Sequence, residues 1–174
     1  MKFKNDSGRS MVELLLYLSV IFGLTAGTLK MYSDSVERTR MLQFDTQVMD
    51  IVEKVNLYYL GRDFPSNVRE VNAVLKKNLG SDINFFDPWG GEIVVTARNS
   101  DTSNVGIDKP HMDLQVSNLD TKRCIDVANK FVEKSAVFLL INSQKADLNI
   151  TDIADICSSK SGDDNIVQGF FMKD

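Results

Sequence analysis

The chain contains little of the material from which metal centres and nucleophilic active sites are built. Its 174 residues include one histidine, His111, and two cysteines. This inventory disfavours a His/Cys zinc cluster and leaves few residues for a Ser-His-Asp or Cys-His site. Lys and Arg total 20 against 24 Asp and Glu, which gives a net charge of −4. A mildly acidic chain without a long basic block is a poor candidate for direct binding of nucleic acid.

The remaining motifs do not match the pattern of an active site or of a cofactor site. His111 has no histidine or cysteine close to it in the sequence, so we expect it at the surface and not on a metal ion. Gly90-Gly91 lacks the Gly-Lys-Ser/Thr of a phosphate-binding loop. The pair Asp163-Asp164 does not fit an EF-hand loop, so we expect solvated carboxylates there. The sequence therefore predicts a protein that is not an enzyme and needs neither metal nor cofactor.

Charge is almost absent from one long segment near the start of the chain. From Met11 to Leu29 the only charged residue is Glu13, and no proline occurs before Pro65. The polar side chains counted after Glu13 are Ser19, Thr25 and Thr28. A helix that spans a bilayer needs roughly 17–25 largely apolar residues. The segment therefore predicts a single membrane span, followed by one globular domain.

The charges around this span indicate its orientation. Lys2, Lys4 and Arg9 precede the apolar run, and positive charge before a first span favours a cytoplasmic N-terminus. The two cysteines lie in the distal domain, and an oxidising compartment outside the cytoplasm suits a disulfide. Two simpler interpretations remain open, a secretory signal peptide cut near Thr25-Ala26-Gly27 and a plain signal anchor. Neither explains a carboxylate at the start of the apolar run.

A third interpretation accounts for that carboxylate. The local sequence is Gly8-Arg9-Ser10-Met11-Val12-Glu13-Leu14-Leu15-Leu16, in which a polar, basic leader ends in glycine and a glutamate is the fifth residue after it. This pattern resembles the class III signal of type IV prepilins and of the related pseudopilins. The resemblance implies that a prepilin peptidase cuts after Gly8 on the cytoplasmic side and methylates the new N-terminus at Arg9. It also implies that Glu13 is the assembly glutamate, although the family usually has an apolar residue where Arg9 stands.

Elementary electrostatics gives Glu13 the same role. A charged carboxylate within a membrane helix costs about 2.5–3.5 kcal/mol on insertion scales, so such a residue needs a partner. Cleavage would create an amino group at Arg9, about 6 Å along the helix axis from Glu13. When helices stack with an axial offset, one copy's Glu13 meets a neighbour's N-terminus in a dry environment, where the pair attracts more strongly than in water. A slipped register leaves one charge unpaired, so Glu13 would fix the register.

The helix is predicted to continue beyond the membrane, from about Ser10 to Leu60. Apolar residues recur in its second half at spacings of three and four, which indicates one buried face: Met41, Phe44, Val48, Ile51, Val52, Val55, Tyr58 and Tyr59. Further predicted elements are a helix capped by Asn67 and ended by Gly80, strands at 92–97 and 111–116, a helix at 121–134, a central strand at 137–141, a short helix or loop at 147–157, and a last strand at 165–172.

Two features of the distal domain extend the resemblance. Asp87-Pro88-Trp89-Gly90-Gly91 is similar to the Asn/Asp-Pro-aromatic-Gly-Gly turn that type IVb pilins often carry before their first strand. The spacing of Cys124 and Cys157 shows only that a disulfide is worth testing, with two buried thiols as the alternative. Pilins commonly have a C-terminal disulfide loop with a last strand after the second cysteine. The resemblance therefore implies a Cys124–Cys157 bond.

The resemblance implies an α+β, pilin-like fold, in which a long N-terminal helix, membrane-spanning in its first half, packs on an antiparallel sheet. The expected parts are a leader at 1–8, an assembly helix at 9–61 and a globular domain with a C-terminal disulfide loop at 62–174. The implied function is that of a structural subunit of a type IV pilus, or fimbrium, closest to type IVb. The subunit would be held in the bacterial inner membrane, with its domain in the periplasm, before it enters a cell-surface filament.

The implied partners are further copies of the chain, the prepilin peptidase, an assembly ATPase and an inner-membrane platform protein. Adhesion, conjugation, motility and secretion are all uses to which such a filament is put. Two alternatives stay open: a pseudopilin of a type II secretion system, and a membrane-anchored binding domain that does not polymerise.

Overall fold

A computed structural model describes residues 7–66, 69–79, 83–99, 107, 109–160, 162 and 164–173. Four helices and six strands make up this part of the chain. The helices are α1 (Ser7–Tyr58), α2 (Asn72–Leu79), α3 (Thr121–Glu133) and α4 (Ile150–Ser159). The strands are β1 (Arg69–Glu70), β2 (Ile93–Arg98), β3 (His111–Leu119), β4 (Phe138–Ile141), β5 (Gln144–Ala146) and β6 (Asn165–Met172). Two compact units result, Met1–Arg40 and Met41–Asp174, and α1 contributes residues to both.

The six strands form one sheet in the order β1-β2-β3-β6-β4-β5, and every pairing is antiparallel. The last strand in sequence, β6, lies between β3 and β4, so the end of the chain is held in the middle of the sheet. Asn142 and Ser143 form the two-residue turn between β4 and β5, and both have positive φ angles of 53° and 66°. Two consecutive positive φ angles suit the right-handed twist of a hairpin. The predicted α+β class is thus confirmed.

The second half of α1 forms the centre of the second unit. Phe44, Val48, Ile51 and Val55 are buried along one face, as their spacing predicts. Phe44 lies 5.7 Å from the Trp89 ring centre and 6.0 Å from that of Phe131. The inward residues of β2, β3, β4 and β6 complete the core on which this face packs. Burial of such large side chains stabilises the unit by about 1.5–3 kcal/mol each.

The turn before β2 has the form that its sequence predicts. The Asp87 carboxylate accepts hydrogen bonds from the backbone N–H groups of Trp89, at 2.8 Å, and Gly91, at 2.9 Å. A Cβ atom on Gly91 would lie 2.5 Å from the Asp87 side chain, so only glycine fits without a shift. The turn holds Trp89 against α1 and also under Arg123 of α3, whose guanidinium carbon lies 5.6 Å from the Trp89 ring centre.

Helix α3 is packed directly on β6 at a glycine. A Cβ atom on Gly169 would approach the Phe131 ring to 2.6 Å. Asp120 caps the helix by accepting a hydrogen bond from the Arg123 backbone N–H at 2.7 Å. Cys124, Val127, Ala128 and Phe131 form its buried face. The predicted helix at 121–134 is confirmed, and its last predicted residue is the C-cap, Lys134.

Several other expectations differ from the structure. His111 is not at the surface: it is fully buried in β3, and its Nδ1 lies 2.8 Å from the Lys109 carbonyl oxygen. It lies on the sheet face opposite α1, where Arg98, Thr96 and Gln168 contact the buried Asp113. The expectation failed because a polar residue was assigned to solvent, whereas His111, Asp113 and Phe170 are all buried on this face of the sheet.

The secondary-structure prediction missed β1 and β5, and it placed the start of α2 too early. Asn67 lies outside the described residues, and the helix begins at Asn72. The Asn72 side chain donates to the Ile93 carbonyl and accepts from the Val95 N–H, so it extends the hydrogen bonding of β2. The strand predicted at 137–141 is β4, Phe138–Ile141, an interior strand paired on both sides by β5 and β6.

Candidate assembly helix and disulfide region

The predicted cleavage and assembly residues lie at the start of α1. Gly8 and Arg9 fall within its bounds, and their side chains lie outside the described part of the chain. Glu13 follows on the same helix, and its side chain is exposed. The cut between Gly8 and Arg9 and the assembly role of Glu13 remain predictions.

The first unit exposes a continuous apolar surface. Within the described residues, one helix is long and apolar enough to cross a membrane, and none of its most apolar 18-residue window is buried. Leu14, Leu15 and Leu16 are about as exposed as Phe22 and Leu24, so the apolar surface extends around the helix. A helix that is apolar all round needs lipid or other protein as its surroundings. This segment therefore needs an environment other than water on every side.

Most of the polar side chains in this segment are satisfied within the helix. The Ser19 hydroxyl donates to the Leu16 carbonyl at 2.8 Å. The Thr25 hydroxyl contacts the Ile21 and Phe22 carbonyls at 2.9 and 3.0 Å, and the Thr28 hydroxyl donates to Thr25 at 3.0 Å. Hydroxyls bonded to the preceding turn are compatible with a lipid environment, because no donor is left without an acceptor.

Glu13 and Tyr17 differ from these hydroxyls. Within the described residues, neither side chain makes a hydrogen bond or an ion pair. The two residues are four apart and so lie on the same face of the helix, one turn from each other. Tyr17 was not counted among the polar positions that follow Glu13 in the sequence. Its spacing from Glu13 is the signal that would have identified it.

The two cysteines join the second pair of helices. The Sγ atoms of Cys124 on α3 and Cys157 on α4 lie at bonding distance, and the Cα atoms are 5.9 Å apart. Both side chains are fully buried. The disulfide thus ties α4, which follows the β4–β5 hairpin, to a helix packed on the sheet. Apart from the disulfide, a 2.6 Å hydrogen bond to Glu133 on the outer face of α3 raises the pKa of Lys130.

No metal-binding constellation accompanies these features. Among the residues that the structure describes, no group of three or more His, Cys, Asp or Glu side chains could hold a metal ion. His111 is buried beside the Phe170 ring, with the ring centres 5.8 Å apart. The features that stand out are therefore the exposed apolar helix with Glu13 and Tyr17, and the disulfide-bonded region.

Comparison with known proteins finds a likeness in fold. No protein-family model matches the chain, and no curated protein matches it. Among solved structures it is similar to the crystal structure of type IV b pilin from Salmonella typhi, with 15% sequence identity and a TM-score of 0.46. The match covers 75% of this chain and 96% of that one. At this identity and TM-score the likeness carries no argument about this chain.

Proposed function

We propose that this chain is a structural subunit of a type IV pilus of the type IVb group. It is made as a precursor, cut between Gly8 and Arg9, and held in the bacterial inner membrane by the first half of α1. It then polymerises through that helix, which places its disulfide-bonded domain on the surface of the filament. Its role is structural and involves no catalysis.

One observation carries this proposal. The first unit exposes its apolar side chains on all faces, and within the described residues Glu13 has no partner. A simple membrane anchor does not require a carboxylate within its apolar segment. An isolated carboxylate there costs about 2.5–3.5 kcal/mol in a bilayer. A polymer supplies the missing partner, because each copy can offer the amino group released at Arg9.

The energetics of transfer from lipid to filament explain why one acidic residue can matter. The apolar side chains of the helix are already out of water in the membrane, so entering a filament core brings little further hydrophobic gain. Packing and polar pairing therefore decide the arrangement. Two opposite charges 4 Å apart attract by about 4 kcal/mol at an effective dielectric constant of 20, against about 1 kcal/mol in water. That difference favours the register in which Glu13 meets an amino terminus.

The proposal also names the proteins that process and assemble this chain. A prepilin peptidase cuts the leader at the cytoplasmic face and methylates Arg9. A cytoplasmic ATPase and an inner-membrane platform protein drive extraction and assembly. The buried Cys124–Cys157 pair belongs to an oxidising compartment, since thiols in the cytoplasm are kept reduced. A disulfide in the distal domain also favours a surface filament over a periplasmic pseudopilin.

Electron microscopy of sheared surface fibres, labelled with an antibody to this chain, tests the proposal. We expect fibres labelled along their length that are absent after deletion of the gene. A pseudopilin would instead leave no labelled surface fibre, and its deletion would abolish secretion of exoproteins. A non-polymerising anchor would remain in the membrane as a monomer. Either of these last results would contradict the proposal.

A further inference from the structure

Tyr17 is the one polar group of the apolar segment, besides Glu13, that the described residues leave without a partner. Its side chain is 63% exposed, whereas the hydroxyls of Ser19, Thr25 and Thr28 bond to carbonyls of the preceding turn. A phenol hydroxyl in a dry environment requires an acceptor, as any buried donor does. When the segment lies in lipid or against other protein, the Tyr17 hydroxyl therefore needs a hydrogen-bond acceptor.

Helix geometry places Tyr17 on the same face of α1 as Glu13. Side chains on a helix point back toward its N-terminus, so an aromatic ring covers the turn before its own Cα. Tyr17 is one turn after Glu13 on the same face, so its ring can cover the helix surface beside the carboxylate. A carboxylate has about four acceptor positions on its two oxygens. An approaching ammonium group cannot occupy all of them.

We propose that Glu13 and Tyr17 together form one docking site for the amino-terminal end of a second copy of this chain. The Glu13 carboxylate pairs with the ammonium group, and the Tyr17 hydroxyl donates to an acceptor position that the ammonium leaves open. This inference rests on the proposed polymerisation and adds a positioning residue to it. The occupant is a second copy because its cleaved end offers the cation that this site lacks.

The hydroxyl can be removed without changing the shape of the ring. We expect Tyr17→Phe to lower the ratio of polymerised to membrane-retained chain about tenfold at equal expression, equivalent to about 1.4 kcal/mol. The matched control is Tyr32→Phe, because Tyr32 is 71% exposed on the same unit but follows the charged Lys30. That control should polymerise like the wild type. If Tyr17 acted only by packing its ring, Tyr17→Phe would also polymerise like the wild type.

A second experiment locates the contact directly. A photoreactive phenylalanine replaces Tyr17, and the cross-linked peptides of polymerised chain are mapped by mass spectrometry. We expect cross-links to the peptide that begins at Arg9 of another copy. Cross-links confined to other peptides would overturn the inference.

The outcomes separate this inference from the proposal beneath it. A wild-type chain that never polymerises contradicts both. A wild-type chain that polymerises, with Tyr17→Phe equally able to do so, overturns only the docking role of Tyr17.

Discussion

Replacement of Glu13 by alanine is the sharpest perturbation that the first unit offers. Within the described residues Glu13 has no partner, so the role assigned to it must be exerted between copies. Removal of one member of a buried ion pair costs about 3–5 kcal/mol, since it leaves the other charge buried and unpaired. At about 1.4 kcal/mol for each tenfold change, the ratio of polymerised to membrane-retained chain should fall by about 100-fold or more.

Membrane insertion should not suffer in the same variant. Alanine removes a carboxylate that costs about 2.5–3.5 kcal/mol in a bilayer, so insertion should be retained or improved. The assay compares sheared fibres with membrane-retained chain on immunoblots at equal expression. Glu53→Ala is the matched control, because Glu53 is exposed on α1 in the second unit. Normal insertion together with an unchanged fibre yield would refute the reasoning.

Two predictions concern the second unit. Peptide mapping under non-reducing conditions should find a peptide that joins Cys124 to Cys157, and two free thiols would contradict the bond. Replacement of both cysteines by serine should lower the free energy of unfolding by about 3–4 kcal/mol for a loop of this length. Gly169→Ala should lower the unfolding free energy by about 1–3 kcal/mol, because its Cβ would meet the Phe131 ring at 2.6 Å. In denaturant titrations, Phe131→Leu should reduce the cost of Gly169→Ala, and purely additive effects would contradict the proposed clash.

The features that follow from periodicity were predictable from the sequence. The buried face of α3 repeats at three and four residues, and the structure buries it as predicted, from Cys124 to Phe131. The strand β6 occupies the predicted range, Asn165–Met172. The buried face on the second half of α1 is likewise confirmed. Local pattern sufficed in each case, since the two helix faces repeat at three and four residues and the last strand is a mostly apolar run.

The features that depend on pairing were not predictable in this way. The strands β1 and β5 have two and three residues and are polar, so only their partners β2 and β4 define them. His111 was misplaced because nothing in its local sequence indicates that its side chain is buried beside Asp113 and Phe170. Tyr17 was missed for a different reason, since its hydroxyl matters only once the neighbouring hydroxyls are known to be satisfied.

The N-terminus of the chain within sheared surface fibres tests the central claim most directly. Intact-mass and peptide mass spectrometry on those fibres should find this chain beginning at Arg9, with residues 1–8 removed. A chain found only in membranes, as a monomer that still carries those residues, would contradict the account. A mature start beyond Ala26 would contradict it as well, because Glu13 would then be lost.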